Sequence, residues 1–279
     1  AANLGEEPLR EHDNYDVTNQ RLRRIFAVAM LTKAIASGKD DLVLDLLVTI
    51  GVDSSCKDLS FCFATWSTED LDSVAACLSN LISLETLALD FQDCTRLWNV
   101  NALGGSFAQL KKLKVLKLEF YKCTDLKDVN ELFKGVAHLK ALTELKVDLN
   151  RTQVASVDAL GDSLKELTEV QTLVLKFPRL RNLSSLERLG NGIAYQRKLS
   201  FLGLDVRFCK KLTNLDKFAS WLAKLRRLGN VEMRFDNCPC LPKSIQEPTF
   251  TNLSDFLVAM CVVPHPGPAG KSGKWRNST

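Results

Sequence analysis

Long apolar runs are missing from this chain. No stretch of its 279 residues approaches the roughly 20 consecutive apolar residues that span a bilayer. Histidine is scarce: His12, His138 and His265 are the only three. No Ser, Asp or second His stands at an arrayed position with any of them, so a nucleophile–base pair or a histidine-based metal cluster has no support. A large charge imbalance is missing too. The 37 Lys and Arg stand against 33 Asp and Glu, a net of +4. That balance does not by itself point to nucleic acid. One triplet, Gly270-Lys271-Ser272, has the look of a phosphate-binding loop. The motif needs Gly five residues before Gly270, where this chain has His265, and it needs a strand before and a helix after. No catalytic residue, metal ligand or cofactor is therefore assigned.

What the chain does have is a period. The stretch from Leu113 to Leu139 opens with Leu116, Leu118 and Phe120 at spacing two, the signature of a short strand with one buried face. It continues with Val129, Leu132, Val136 and Leu139 at spacings of three and four, the signature of a helix with one buried face. One strand and one helix cannot close a core, so the unit needs copies on either side. The strand position recurs at Leu59, Leu87, Leu116, Leu145, Leu173, Leu202 and Val231, in steps of 28, 29, 29, 28, 29 and 29 residues.

This pattern resembles the leucine-rich repeat family, of the helix-containing, ribonuclease-inhibitor-like type. The resemblance runs from about Ser54 to Leu241. It implies an α/β solenoid, a horseshoe with parallel strands on the concave side and helices on the convex side. The family usually places Asn or Cys after the strand. Cys94, Cys123, Cys209 and Cys238 fit, whereas Trp66, Thr152 and Leu180 do not. A less uniform stack is expected around Thr152 and Leu180.

The expected organisation has five parts. Residues 1–20 form an extended arm, and 21–53 an N-terminal helical cap that protects the open end of the first repeat. Residues 54–243 form an array of about seven repeats, 244–263 a C-terminal capping helix, and 264–279 a flexible basic tail. The start at Ala1 instead of Met is what a fragment or a processed mature form would show.

Nine cysteines, an odd count and mostly at repeat-equivalent positions, argue against a disulfide framework and for a reducing compartment inside the cell. That compartment is the cytoplasm, or an organelle interior after loss of a targeting peptide. A buried thiol ladder is the expected role of Cys94, Cys123, Cys209 and Cys238, since they lack the short spacings of structural zinc sites. Four triplets, at Asn150, Asn182, Asn252 and Asn277, fit the glycosylation sequon, which a chain rich in Asn, Ser and Thr produces by accident.

Residues that alternate with the buried strand positions must face outward on the sheet. Asp90, Glu119 and Asp148 form an acidic ladder there, with Lys117 and Lys146 two residues away as the expected counter-charges. Lys176, Asp205, Arg207 and Arg234 continue the face, and Tyr121 is a candidate aromatic anchor. These ten are the candidate partner-binding residues. Lys111, Lys112, Lys114, Lys117 and Lys122 form a basic cluster with too few aromatics for nucleic-acid binding.

The expected function is a non-enzymatic protein–protein interaction or scaffold module. It would bind protein partners within a multi-subunit complex, as an accessory subunit. Peripheral membrane contact through the basic tail stays open. Two other readings remain: a regulator that inhibits a partner enzyme by occlusion, and a binding fragment of a larger enzyme or nucleotide-binding protein.

Overall fold

A computed structural model describes residues 56–62, 68–225 and 228–261. The arm at 1–20, the cap at 21–53 and the tail at 264–279 lie outside the described residues, as does Trp66. The described part alternates strand and helix. The strands are β1 (Asp58–Cys62), β2 (Thr86–Asp90), β3 (Val115–Glu119), β4 (Glu144–Asp148), β5 (Thr172–Lys176), β6 (Phe201–Asp205) and β7 (Asn230–Arg234). The helices are α1 (Thr68–Leu78), α2 (Asn101–Phe107), α3 (Asn130–Val136), α4 (Asp158–Lys165), α5 (Glu187–Ala194), α6 (Asp216–Leu222), α7 (Lys243–Gln246) and α8 (Leu253–Ala259).

The seven strands form one parallel sheet in sequence order. Leu59, Leu87, Leu116, Leu145, Leu173, Leu202 and Val231 are cross-strand partners all the way along, as the period requires. Period two then decides the faces. In β3, Leu116 and Leu118 are buried while Val115, Lys117 and Glu119 are not. The buried residues of strands and helices merge into one continuous core. The chain is thus a leucine-rich-repeat solenoid in architecture, with the helices stacked on the buried side of the sheet.

The turn after each strand repeats in detail. The residue three past the strand end takes positive φ in six successive repeats: Asp93, Lys122, Arg151, Arg179, Phe208 and Asn237, all between 58° and 63°. Only Asp and Asn tolerate that region readily. The backbone ladder that continues beyond the strands holds the others there, with Arg179 N–H donating to the Arg207 carbonyl and Phe208 N–H to the Asp236 carbonyl. Next comes the thiol position. Cys123, Cys209 and Cys238 donate to the Phe91, Phe177 and Val206 carbonyls of the preceding repeat, at 3.0, 3.3 and 3.1 Å. Thr152 instead donates to the Leu149 carbonyl of its own repeat at 2.9 Å, and Leu180 is simply buried. The strand register runs through both without a break. The substitutions change a side-chain bond, and the sheet stays regular.

The helices are shorter than their apolar stripes, with the residues after each, such as Leu139 and Leu142, buried in turns. Each of α2 to α6 begins on a buried aliphatic residue that cannot cap it. The residue before supplies the oxygen: Asn99, Asp128, Ser156, Ser185 and Asn214 accept from the first helical N–H of α2 to α6. Neighbouring helices approach backbone to backbone through glycine. A Cβ on Gly135 would sit 2.1 Å from the Gly104 carbonyl oxygen, and one on Gly192 would sit 1.9 Å from that of Gly161. Buried Ser163 reaches across α3 and α4 to the Phe133 carbonyl at 2.5 Å.

At the far end Phe250 pairs antiparallel with Met233, donating and accepting at 3.0 and 2.9 Å, so this part of the β7 edge is hydrogen-bonded. Phe250 and Phe256 pack with Phe235, and Phe256 meets Phe218, so α8 covers the last repeat with aromatic rings.

Two predictions follow from this packing. Leu145 is fully buried mid-stack, and Leu145→Asp should cost more than about 4 kcal/mol because it buries an unpaired charge; chemical denaturation measures it. Gly192→Ala should cost about 1–3 kcal/mol through the helix–helix clash. Gly105→Ala has open space around its Cβ and should gain about 0.5–1 kcal/mol from helix propensity. Opposite signs in thermal melts of the two alanine variants are the check.

Candidate functional site

The sheet face is assembled from four outward rows. The outermost begins each strand: Thr86, Val115, Glu144, Thr172, Phe201 and Asn230. The next is Ala88, Lys117, Lys146, Val174, Gly203 and Glu232; then Asp90, Glu119, Asp148, Lys176, Asp205 and Arg234. Past the strand ends come Gln92, Tyr121, Asn150, Pro178, Arg207 and Asp236, held level by the continuing backbone ladder. All ten candidate residues lie on this face. Parallel strands are about 4.8 Å apart, so seven of them present a surface about 30 Å across.

The charges do not pair as the strand spacing suggests. Lys117 and Lys146 turn away from the acidic ladder and toward Glu144, at 3.9 and 2.9 Å. Glu144 belongs to the outermost row, one step before the strand leucine. Extending the period-two reading by that step would have found it. The ladder has other work. Asp90, Asp148 and Asp205 each accept the N–H two residues on, from Gln92, Asn150 and Arg207, at 2.9, 2.8 and 3.1 Å. These aspartates brace the turn that leads to the positive-φ residue. Glu119, one carbon longer, makes no such bond and is exposed.

Asp148 is mostly covered, and its side chain keeps only 15% of its accessible surface. Burial pushes its carboxyl above the usual carboxylate range, with Glu119 and Asp205 adding to the rise. The Asn150 N–H and Lys176, 3.9 Å away, oppose it. Asp205 holds Arg207 through both carboxylate oxygens, the shorter contact being 2.7 Å. Arg234 stands 3.8 Å from Asp236. Tyr121 already has cations at its ring, with Lys122 at 4.9 Å and Arg151 at 5.9 Å from the centroid. Its face is less open to a partner than the sequence suggests.

The C-terminal half of the face is hollow. Gly203 has no side chain where its row has Val174 and Glu232, and Phe201 lies alongside. Phe201 and Val174 close over the glycine, and a depression of about 370 Å³ lies across this part of the face. Val174, Phe201 and Gly203 contribute apolar surface, while Asp148, Lys176, Asp205, Arg207, Glu232 and Arg234 contribute charge. Five of the ten candidates, Asp148, Lys176, Asp205, Arg207 and Arg234, meet there. The other five spread over β2 to β4. Among the described residues no group of three His, Cys, Asp or Glu is arranged to hold a metal ion. None of the described helices is long and apolar enough to cross a membrane.

Fold and face together define a repeat solenoid with an open, charged sheet. No family model matches the sequence, and no curated protein matches it either. Among solved structures, the chain is similar to internalin C2 (inlC2) from Listeria monocytogenes str. 4b F2365. The identity is 19% and the TM-score 0.40, over 74% of this chain and 83% of that one. It is also similar to PEPR1-AtPEP1, at 16% identity and a TM-score of 0.20, over 66% of this chain and 37% of that one.

The thiol ladder yields a third prediction. Burial, reinforced by the neighbouring Cys94 and Cys238 respectively, pushes the Cys123 and Cys209 thiols up to about 12. Cys238 is raised by burial as well. Unfolded thiols ionise near their ordinary value of about 8.5. A raised folded pKa means that the stability these thiols contribute is full below the unfolded value and is lost as pH rises toward about 12. In the folded chain at pH about 8, a small alkylating reagent should therefore modify exposed Cys240 and spare the other three until denaturant is added. Mass spectrometry of the labelled peptides reads the order.

Proposed function

We propose that the chain is a non-enzymatic protein-binding module whose concave sheet face receives the partner. The supporting observation is the hollow beside Gly203, an apolar floor ringed by charged side chains in the C-terminal half of an open face. Apolar centres with polar rims are what protein interfaces use, and a face about 30 Å across is large enough for an interface of standard size. The ten candidate residues divide into two roles. Asp148, Lys176, Asp205, Arg207 and Arg234 rim the hollow and fix the partner's register. Asp90, Lys117, Glu119, Tyr121 and Lys146 carry complementary charge over the rest.

In this reading the chain is an accessory or scaffold subunit of a larger intracellular assembly, of the ribonuclease-inhibitor-like repeat type. Inhibition of a partner enzyme by occlusion uses the same face and differs in lifetime. A binding fragment of a larger enzyme differs in carrying nucleotide turnover.

The test uses Glu119→Lys with Glu232→Lys. Both side chains are exposed on the sheet face and free of the turn bonds that Asp90 and Asp148 make. The double variant should fold normally and lose at least about tenfold affinity for a partner isolated with the native chain. A convex-side control, Lys134→Glu, should keep it. A stable stoichiometric complex supports the subunit reading, and a transient enzyme partner supports inhibition. Unchanged affinity in the double variant would move the site off this face.

A further inference from the structure

The loops that leave β4, β5 and β6 have a one-sided charge. Residues 149–157, 177–186 and 206–215 contain Arg151, Arg179, Arg181, Arg207, Lys210 and Lys211, and not one Asp or Glu. They lie side by side along one edge of the solenoid, tied by the backbone ladder. Arg151 and Arg179 occupy the same repeat position, at positive φ. Arg181 and Lys210 share the next but one, 29 residues apart. The two loops before them are mixed, with Asp93 beside Arg96, and Asp125 and Asp128 beside Lys122 and Lys127, and the loop after β7 carries Asp236 with no basic residue over 235–242.

Several lysines elsewhere on the molecule find acids. On the opposite edge Lys114, Lys140 and Lys198 reach Glu85, Glu166 and Glu169 at 2.6, 3.2 and 2.6 Å. Within the three loops, Arg207 alone among the described residues is ion-paired, to Asp205; the pairs Lys122–Asp93 and Arg234–Asp236 flank them. Arg151, Arg179, Arg181, Lys210 and Lys211 are exposed, and among the described residues none has a carboxylate within ion-pair distance, Arg151 acting on Asp93 only at longer range. Their contacts are with neutral groups: Arg179 covers the Phe208 ring at 4.5 Å, and Lys211 donates to Asn182 at 2.9 Å. The carboxylates that open the next helices are engaged. Asp158 and Glu187 face Arg188 and Lys217, and Asp216 bonds Asn214.

We infer that this edge is a second docking surface, for an Asp- and Glu-rich segment of a protein partner. Adjacent like charges repel, and a carboxylate-bearing segment laid along the edge relieves that repulsion at every repeat. Single-stranded nucleic acid needs aromatic platforms for its bases. Phe177 is buried, and Phe208 is covered by Arg179 on one face. A membrane surface is better served by apolar side chains that insert. The exposed large apolar residues Ile82, Trp98, Tyr195 and Val258 all lie outside these loops. The assignment does not depend on the sheet face being used.

The experiment is fluorescence anisotropy of the full chain with a labelled oligoglutamate peptide, at low and high salt. Arg151→Glu, Arg181→Glu and Lys210→Glu are combined in one variant. The control variant combines Lys111→Glu, Lys112→Glu and Arg197→Glu, which changes the net charge equally from exposed positions on the other edge. Thermal melts confirm that both fold. The edge variant should lose at least about tenfold affinity, the control should stay within about twofold, and salt should weaken the wild type. Equal loss in both variants, or none in the edge variant, overturns the inference. So does tighter, edge-dependent binding of a single-stranded oligonucleotide or of phosphatidylserine vesicles.

Discussion

The structure depends on one constraint: no repeat can cover its own apolar face. A strand of five residues and a helix of seven or eight bury their leucines only because the same leucines stand beside them in the next repeat. Everything local serves that contact. Glycines let the helices touch, the aspartates brace the turn, and the side chains just before α2 to α6 accept the first N–H of each helix. The row of Leu87, Leu116, Leu145, Leu173 and Leu202, wholly removed from water, results. Each such leucine contributes about 1.5–3 kcal/mol of burial, and the array gains stability by adding neighbours.

Much of this was legible in the sequence because it rests on periods. Spacing two names the strand, spacing three and four names the helix, and a step of 28 or 29 sets the register of Leu59 through Val231. The parts that were not legible rest on three-dimensional approach. Gly104, Gly135, Gly161 and Gly192 look like helix breakers in isolation. Only their contact across adjacent helices explains them. Positive φ at Lys122, Arg151, Arg179 and Phe208 contradicts local preference and is imposed by the ladder on either side. Thr152 and Leu180 depart from the repeat's usual residue, yet the backbone absorbs both, because the strand bonds fix the turn with or without a thiol.

The candidate site was half legible for the same reason. Alternation places Asp90, Glu119 and Asp148 on the sheet face correctly. It does not tell a carboxylate that braces its own turn from one that is free. Asp90, Asp148 and Asp205 are the first kind and Glu119 the second. Spacing also fails to say which acid a lysine will choose. Lys146 had Asp148 two residues away on its own strand, and it lies 2.9 Å from Glu144, also two residues away on the other side. The hollow over Gly203 is invisible in a list of charges. It depends on how Phe201 and Val174 lie over that glycine and on the charged side chains around them.

The central functional claim is that the open sheet, and not the helical back, meets the partner. Hydrogen–deuterium exchange, comparing the isolated chain with the complex taken from its native source, tests it most directly. The account predicts new protection in the segments that cross the sheet face and its C-terminal rim, at 119–123, 148–152, 176–180 and 205–209, with the helices unchanged. Protection confined to the helices α2 to α6, with those strand-end segments exchanging as before, would contradict it.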